Sequence, residues 1–306
     1  MLYLSVAMKK LYTISLFDNS TFKHLRLPFS FFLLPVFLFA ISQSASINWQ
    51  NVCIAFCILH LLVFPSSNGY NSYQDKDESS IGGLKYPPKV TKELYYITLL
   101  MDVTGVACSL FISVYFSILV LIFILVSRAY SYRKLRLKKY AVIGFLTVFI
   151  FQGAFVYLMT ATAINSIPFE LFFTSNNIIC MSVASLFIGS IYPLTQIYQH
   201  ESDRKDGVIS ISYKLGYTGT FVFSAILFSI ATLLLFHYFQ LKNQQIDLVL
   251  FIVLIFPSVY YLTVWFNKVR NNTENANFEN TMKMNLLTSV CMNLYFSILI
   301  LINYLP

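Results

Sequence analysis

The sequence predicts an all-α integral membrane protein, a single domain over residues 1–306 built as a bundle of nine transmembrane helices. Of the 306 residues, 57% are hydrophobic and only 11% are charged, whereas the surface of a soluble domain needs far more charge. Apolar stretches of roughly 20 residues, long enough to cross a hydrocarbon core of about 30 Å, recur along the chain. Because backbone polar groups in lipid must be bonded within their own segment, these stretches should be helices.

The first apolar run, Phe31 to Ile47, follows a basic N-terminal segment (residues 1–24) that we expect to be cytoplasmic. Translation could start at Met1 or at Met8. A cleaved signal peptide is an alternative for this run, because small residues follow it, but the run is long and begins late. These features favour a first membrane helix.

Helix 2 is predicted over Val52 to Phe64. The next run, Leu94 to Val126, is too long for one crossing at about 1.5 Å per residue. We therefore divide it near Gly105 to Ser109 into helices 3 and 4. Five further runs predict helices 5 to 9: Tyr140 to Ala163, Ile178 to Tyr198, Thr218 to Phe239, Ile246 to Phe266 and Leu286 to Leu305.

The distribution of positive charge supports this topology. With the N-terminus in the cytoplasm, 20 of the 21 Lys and Arg residues fall on the inside and only Lys242 falls outside, as the positive-inside rule requires. The chain is thus predicted to be a multi-pass protein of the cell inner (cytoplasmic) membrane. We expect the positively charged residues to have the lipid bilayer as their partner, and we expect no nucleic acid partner.

Two acidic segments, residues 66–93 and residues 196–217, follow helices 2 and 6 on the predicted cytoplasmic side. In the first, Asn71 and Asp75 are spaced i and i+4, so they share one helical face, and Asp77 follows. Carboxylate and amide oxygens at a membrane interface suit Mg²⁺, which is bound through one or two carboxylates plus substrate phosphates. A solvated loop with ordinary charges is the alternative.

The second acidic segment repeats this spacing with Gln199 and Asp203, and Glu201 and Asp206 lie near them. A plain helix end with mixed charges is the alternative. Between the two acidic segments lies a basic segment, Tyr130 to Lys139. Its Lys and Arg side chains stand beside hydroxyl groups and predict a cradle for a diphosphate, or else a topology-setting loop that touches anionic lipid.

These residues carry a resemblance to the UbiA-type intramembrane prenyltransferases, which have nine helices and two aspartate-rich motifs on cytoplasmic loops after helices 2 and 6. Residues 71–77, NSYQDKD, resemble the start of the family motif NDxxDxxxD, with Ser79 where the last Asp is expected. In the second motif, DxxxD, Gln199 replaces the first Asp and Asp203 matches the last. Residues 25–28, the basic segment and Lys214-Leu215-Gly216 also match in order.

The resemblance implies an Mg²⁺-dependent transfer of a prenyl group from a polyprenyl diphosphate to a small hydrophobic or aromatic acceptor. The implied metal ligands are Asn71, Asp75, Asp77, Gln199 and Asp203, of which Asp75 and Asp203 are the catalytic pair. The implied diphosphate ligands are Tyr130, Ser131, Arg136, Lys138 and Lys214. Further candidates are Arg26, Asp102, Glu201 and Asp206.

Two other functions stay open. A degenerate family member could bind an isoprenoid lipid without catalysis, because Ser79 and Gln199 remove two expected carboxylates. A transporter is the second alternative, but it should show a repeated half with broken helices, whereas the acidic segments lie at helix ends. Asp102 is an ionisable residue inside an apolar run and a functional candidate by default, unless it sits at a helix end.

Overall fold

The computed structural model describes residues 19–165, 169 and 172–304. Predictions that concern the start codon, most of the N-terminal segment and Leu305 lie outside these residues. Within the described residues the chain forms nine long helices in the order α1 Ser20–Ser42, α2 Trp49–Asp75, α3 Lys92–Ser109, α4 Val114–Ser131, α5 Ala141–Ile164, α6 Ser175–Lys205, α7 Ile211–Lys242, α8 Gln245–Asn271 and α9 Phe278–Tyr304.

The predicted fold class is confirmed: the described residues form a helical bundle without a β-sheet. Eight of the nine helices are long and apolar enough to cross a membrane. The remaining one, α3, spans 18 residues and carries Lys92, Glu93 and Asp102, so it is a more polar ninth helix. The predicted division of the long third run is also found, since α3 ends at Ser109 and α4 begins at Val114.

The helix ends differ from the prediction where polar residues continue a helix. Helix α2 does not end at Phe64 but runs to Asp75, where Lys76 adopts a left-handed backbone conformation (φ 55°) and stops it. The first ten residues of the predicted loop are therefore helical. The residues at this end of α2 are polar, but packing against α1 and α3 holds them in a helix.

Three other helices begin well before their predicted starts, and two of them contain breaks. Helix α9 begins at Phe278 and not at Leu286. Helix α1 begins at Ser20 and not at Phe31, and its course is interrupted at Arg26, which has a φ of 49°. Helix α7 begins at Ile211 and not at Thr218, and it bends at Gly216, whose φ of 66° with ψ of −180° is available to glycine without strain. Both breaks lie at the end of the bundle that carries the acidic segments.

Aromatic side chains fill much of the core between the helices. Phe39 stacks on Phe296 with ring centroids 4.8 Å apart, which ties α1 to α9. Large apolar side chains on the outer faces, such as Leu100 and Phe256, are exposed, as expected of surfaces that contact lipid. Helices α5 and α6 approach most closely at Gly153, where a Cβ atom would overlap the backbone of Ser185.

Candidate active site

A cavity of about 330 Å³ lies between the helices, and both acidic segments line one end of it. We call this end the mouth and the apolar remainder the lower cavity. The structure brings these predicted site residues to the mouth: Arg26, Asn71, Asp75, Asp77, Tyr130, Ser131, Arg136, Lys138, Gln199, Asp203 and Asp206. Glu201 lines a second, polar pocket beside the mouth, together with Asp75, Asp77 and Asp206.

The acidic side chains of α2 are aligned by the helix itself. Ser67, Asn71 and Asp75 are spaced four residues apart and therefore lie on one face of α2. The Ser67 hydroxyl lies 2.5 Å from the hydroxyl of Ser127, and the Asn71 amide donates a hydrogen bond of 3.0 Å to the hydroxyl of Ser131. These two contacts fix the register of α2 against α4, and the Asn71 carbonyl oxygen has no hydrogen-bond partner among the described residues.

The first acidic segment is joined directly to the basic segment. The Lys138 ammonium forms an ion pair with one oxygen of Asp75, and the Arg136 guanidinium lies 3.3 Å from the other. The Asp75 and Arg136 side chains are only 6% and 8% exposed. In such a site a charge is held only by partners of opposite sign, so Asp75 and its two cations form one structural unit.

The second acidic segment reaches the same cations through Asp206. Its carboxylate forms an ion pair with Arg136 and lies 2.9 Å from Arg133. Burial raises the pKa of Asp206, but the hydrogen bonds from Arg136 and Arg133 outweigh burial and leave that pKa below its ordinary value. The structure therefore connects the two acidic segments through the cations that lie between them in sequence.

Two carboxylates at the mouth, those of Asp77 and Asp203, accept no hydrogen bond from any residue that the structure describes. Burial, and after it the nearby Asp75 charge, raises the pKa of the Asp77 carboxyl. The Gln199 amide donates a long hydrogen bond of 3.5 Å to the carbonyl oxygen of Ser80. The Gln199 side chain lines the mouth, and its carbonyl oxygen accepts no hydrogen bond from the part of the chain that the structure describes.

The oxygen atoms of these side chains fit a hard cation such as Mg²⁺, since carboxylate and amide oxygens are its preferred protein ligands. Across residues 19–165, 169 and 172–304, no three Asp, Glu, His or Cys side chains stand together as a complete metal site.

Arg26 lies at the rim of the mouth, buried and in a left-handed backbone conformation. Its guanidinium donates hydrogen bonds of 3.1 Å to the carbonyl oxygens of Gly82 and Asn68. It therefore ties α1 both to α2 and to the loop between α2 and α3. The left-handed conformation at a non-glycine residue is costly, and these two hydrogen bonds hold it.

Two of the predicted residues line neither the cavity nor the second pocket. Lys214 is exposed at the start of α7 and does not line the cavity. Asp102 lies inside α3, not at a helix end, and accepts a hydrogen bond of 2.8 Å from Arg128 on α4. Ser66 donates a hydrogen bond of 2.5 Å to the other Asp102 oxygen, and Arg128 stacks 3.9 Å above the Tyr70 ring.

The sequence interpretation missed several polar cavity residues, among them Tyr192 and Gln196 on α6. The hydroxyls of Tyr130 and Tyr192 lie 2.5 Å apart, and the Gln196 amide donates a hydrogen bond of 2.9 Å to the Tyr192 hydroxyl. Their i, i+4 spacing on an otherwise apolar helix was a signal that could have revealed them. Arg128 was also missed as a site neighbour, because the fourth helix was predicted to end at Val126, whereas α4 continues to Ser131.

The lower cavity is lined mainly by apolar side chains, among them Phe39, Phe123, Phe228 and Phe296. A molecule that occupies the whole cavity therefore has a charged end at the mouth and an apolar body among the helices. This combination suits a lipid-like anion.

Comparisons with known proteins identify the family and the fold. The family model described as the UbiA prenyltransferase family matches residues 29–287. No curated protein matches the chain. Among solved structures, the chain is similar to a UbiA homolog from Archaeoglobus fulgidus bound to GPP and Mg²⁺, at 17% identity and a TM-score of 0.65, over 92% of this chain and 99% of that one.

Two further structures share the fold. The apo structure of a UbiA homolog from Aeropyrum pernix K1 is 15% identical, with a TM-score of 0.66, over 89% of this chain and 98% of that one. A digeranylgeranylglyceryl phosphate synthase is 20% identical, with a TM-score of 0.58, over 92% of this chain and 97% of that one. At these identities the structures establish a common fold.

Proposed function

The chain belongs to the UbiA prenyltransferase family, and from that premise we propose that it transfers a prenyl group from a polyprenyl diphosphate to an aromatic acceptor within the membrane, as in the biosynthesis of quinone-type lipids. The Archaeoglobus fulgidus homologs that share its fold were solved with GPP or DMAPP and Mg²⁺, which supports a prenyl diphosphate and a divalent cation as ligands here. We further propose that the mouth faces the cytoplasm.

One observation carries the proposal: Asp75 is bonded to both Lys138 and Arg136 at the charged mouth of an apolar cavity. A prenyl diphosphate matches this arrangement, because it has a polyanionic head and a hydrocarbon tail. The Arg136 guanidinium offers a fork of donors to phosphate oxygens and the Lys138 ammonium offers a compact charge. The head would bind at the mouth and the tail would lie among the phenylalanines below it.

In the proposed reaction the C–O bond between the prenyl group and the diphosphate breaks, and the diphosphate keeps the electron pair. Arg136 and Lys138 stabilise the negative charge that develops on the leaving oxygen, which is the usual role of fixed donors in such a site. An electron-rich acceptor carbon then forms a C–C bond to the allylic cation, and a proton leaves that carbon.

In this proposal the side chains of Asn71, Asp77, Gln199 and Asp203 supply the oxygen ligands for Mg²⁺. The Asp75 carboxylate is held in position by Lys138 and Arg136. Bound Mg²⁺ supplies positive charge to the diphosphate oxygens. The protein supplies the rest of the positive potential through the basic segment. Asn71 is held for this role by its hydrogen bond to Ser131, because that bond uses the amide nitrogen and leaves the oxygen for the ligand.

The experiment is to incubate the purified protein in nanodiscs with Mg²⁺, farnesyl or geranylgeranyl diphosphate, and a panel of phenols and naphthols. We expect one acceptor to gain the mass of the prenyl group in wild-type protein, and Asp75→Ala to abolish the gain. An Asp75→Ala variant that is as active as wild-type protein would remove Asp75 from the reaction.

A second candidate function is binding of an isoprenoid diphosphate without transfer. The observation in its favour is that Gln199 supplies an amide where the family motif has a carboxylate, so the metal would be held more weakly. In the same experiment this candidate predicts saturable diphosphate binding and no prenylated product with any acceptor. The transporter alternative receives no comparable support, because the charged residues lie at one end of the cavity.

A further inference from the structure

Polar side chains also occur in the lower cavity, well below the charged mouth. Gln152 on α5 and Ser289 on α9 both line the cavity, and neither side chain has a hydrogen-bond partner among the residues that the structure describes. Ser289 is 6% exposed. Unpaired polar groups in a low-dielectric interior cost free energy, so their presence in an apolar cavity calls for a ligand with matching polar atoms.

Gln152 and Ser289 occupy equivalent positions on two helices. Helices α5 and α9 both begin at the mouth end, at Ala141 and Phe278. Each of the two polar residues comes eleven positions later, which is about 16 Å along a helix at 1.5 Å per residue. Both therefore lie well below the helix starts, on two separate helices that line the cavity, and we call this pair the polar level of the lower cavity.

Asn285 adds a third polar group on the same wall. It lies one helical turn above Ser289, lines the cavity and is 5% exposed. Its side-chain oxygen Oδ1 is buried and has no hydrogen-bond partner in residues 19–165, 169 and 172–304. Polar side chains thus continue along α9 from Ser289 toward the mouth. The reacting end of a prenyl diphosphate would meet an acceptor from that direction.

The position of Gln152 is fixed by the backbone. Helix α5 widens into a π-helical turn over Phe149–Ala154, and such turns often occur at functional sites. The backbone amide of Ala154 donates a hydrogen bond of 2.9 Å to the Ser185 hydroxyl, while Gly153 allows α6 to approach. The turn that carries Gln152 is thereby anchored to α6 on the side away from the cavity.

Among the described residues, none that lines the lower cavity carries a charge that could pair with a charged ligand. The charged residues that line the cavity all belong to the mouth: Arg26, Asp75, Asp77, Arg136, Lys138, Asp203 and Asp206. An anionic group on an acceptor would find no counter-charge beside Gln152, and burying it there would be costly. A carbonyl or hydroxyl group would find the donors and acceptors of an amide and a hydroxyl.

We propose that Gln152 and Ser289, with Asn285 above them, form the acceptor subsite, and that the acceptor places an uncharged carbonyl or hydroxyl group of a quinone- or phenol-type ring there. This inference rests on the proposed function, because the bound ring is an acceptor only if prenyl transfer takes place. Binding of the ring can nevertheless be measured without any transfer. It defines a substrate class: the part of the acceptor held in the lower cavity is neutral and hydrogen-bonding.

The test compares two probes of similar shape, menadione with two carbonyl groups and 2-methylnaphthalene with none, by equilibrium dialysis against nanodiscs with and without the protein. The empty nanodiscs correct for partition into lipid. We expect menadione to bind the wild-type protein about 10-fold more tightly, the value of one or two hydrogen bonds. Gln152→Leu should remove most of this difference, and Ser289→Ala should remove part of it.

Thr162→Val is the matched control, because Thr162 is also on α5, does not line the cavity and donates its hydroxyl to the Leu158 carbonyl oxygen. It should preserve the preference for menadione. If Gln152→Leu does not fold, Ser289→Ala alone decides the result, since it removes a single atom. Equal binding of the two probes to wild-type protein, or an unchanged preference in the folded variants, would overturn the proposal.

Binding of farnesyl thiodiphosphate with Mg²⁺, measured on the same samples, separates this proposal from the proposed function. Thr162→Val should bind it as tightly as wild-type protein, because Thr162 does not line the cavity, and Gln152→Leu should still bind it through the charged contacts at the mouth. Loss of the menadione preference with intact diphosphate binding would support the acceptor subsite. Failure of wild-type protein to bind the diphosphate would instead count against the proposed function.

Discussion

At the mouth of the cavity, Gln199 occupies the position where the family motif has its first aspartate. Its amide nitrogen donates a long hydrogen bond to the Ser80 carbonyl oxygen, and the side chain lines the mouth. A neutral amide is a weaker ligand for Mg²⁺ than a carboxylate, because it brings no charge. The identity of this one side chain is therefore expected to set the metal affinity of the site.

Gln199→Asp tests this expectation. The new carboxylate would stand near Asp203 and strengthen the electrostatic attraction of Mg²⁺, so we expect the Mg²⁺ concentration for half-maximal diphosphate binding to fall several-fold. The measurement is a titration of fluorescent farnesyl diphosphate analogue binding with Mg²⁺ in nanodiscs. An unchanged Mg²⁺ midpoint would indicate that residue 199 takes no part in metal binding.

At the scale of the elements, the packing of α2, α3 and α4 depends on a buried ion pair between Asp102 and Arg128. The side chains are 10% and 19% exposed, and Ser66 on α2 donates to the same carboxylate. Ser67 and Ser127, the neighbours of two of these residues in sequence, line the cavity. The pair therefore sets the spacing of the helices that carry Asn71 and Ser131.

Asp102→Asn should lower the thermal stability strongly, because Arg128 would keep its charge without a partner, a loss that costs about 3–5 kcal/mol in buried pairs. The double variant with Arg128→Gln should recover much of the loss, since it leaves no uncompensated charge. The melting temperature in detergent is the measurement. The exposed pair of Lys85 and Glu279 supplies the control: Lys85→Ala should not change it measurably. A stable Asp102→Asn would show that the pair does not hold these helices.

The contact between α5 and α6 gives a second prediction at this scale. Gly153→Ala would place a methyl group on the backbone of Ser185, so the helices would have to separate, and we expect a clear fall in melting temperature. Gly219→Ala is the control, because its nearest neighbour is the Leu215 side chain at 3.2 Å and alanine favours a helix. Equal effects of the two substitutions would contradict the close approach of α5 and α6.

For the whole molecule, the number and order of helices could be predicted from the sequence because both depend on the length of apolar runs and on the side of the membrane that carries Lys and Arg. The end of α2 could not. Hydropathy reports contact with lipid and falls after Phe64, whereas the helix continues to Asp75 through packing inside the protein.

The candidate site, too, could be predicted from the sequence only in part. The i, i+4 spacing of Asn71 and Asp75 predicted a shared face, and both line the mouth. The contacts of Asp75 with Lys138 and of Asp102 with Arg128 join residues far apart in sequence, and no local pattern reveals such pairs. Gln152 was not predicted because it is a single polar residue within an apolar run, and it lies in a π-helical turn that hydropathy does not reveal.

The predicted membrane orientation is also a property of the whole chain. Nine helices with a cytoplasmic N-terminus place the C-terminus outside, so alkaline phosphatase fused to the C-terminus of the full chain should be active in bacterial cells. A fusion after Asn272, between α8 and α9, should be inactive because the enzyme would remain in the cytoplasm. The reverse pair of results would invert the orientation, and with it the side to which the mouth opens.

The measurement that tests the account most directly is release of inorganic diphosphate from farnesyl or geranylgeranyl diphosphate by the protein in nanodiscs, with acceptor and Mg²⁺ present or omitted one at a time. We predict release only when both are present, and a loss of at least about 10-fold in Lys138→Met, which removes a charge-assisted contact at the mouth. Lys242→Met, a charge removed at the opposite end of α7, should retain wild-type release. Release that is indifferent to Mg²⁺, or unchanged in Lys138→Met, would contradict the assignment of the mouth as the diphosphate site.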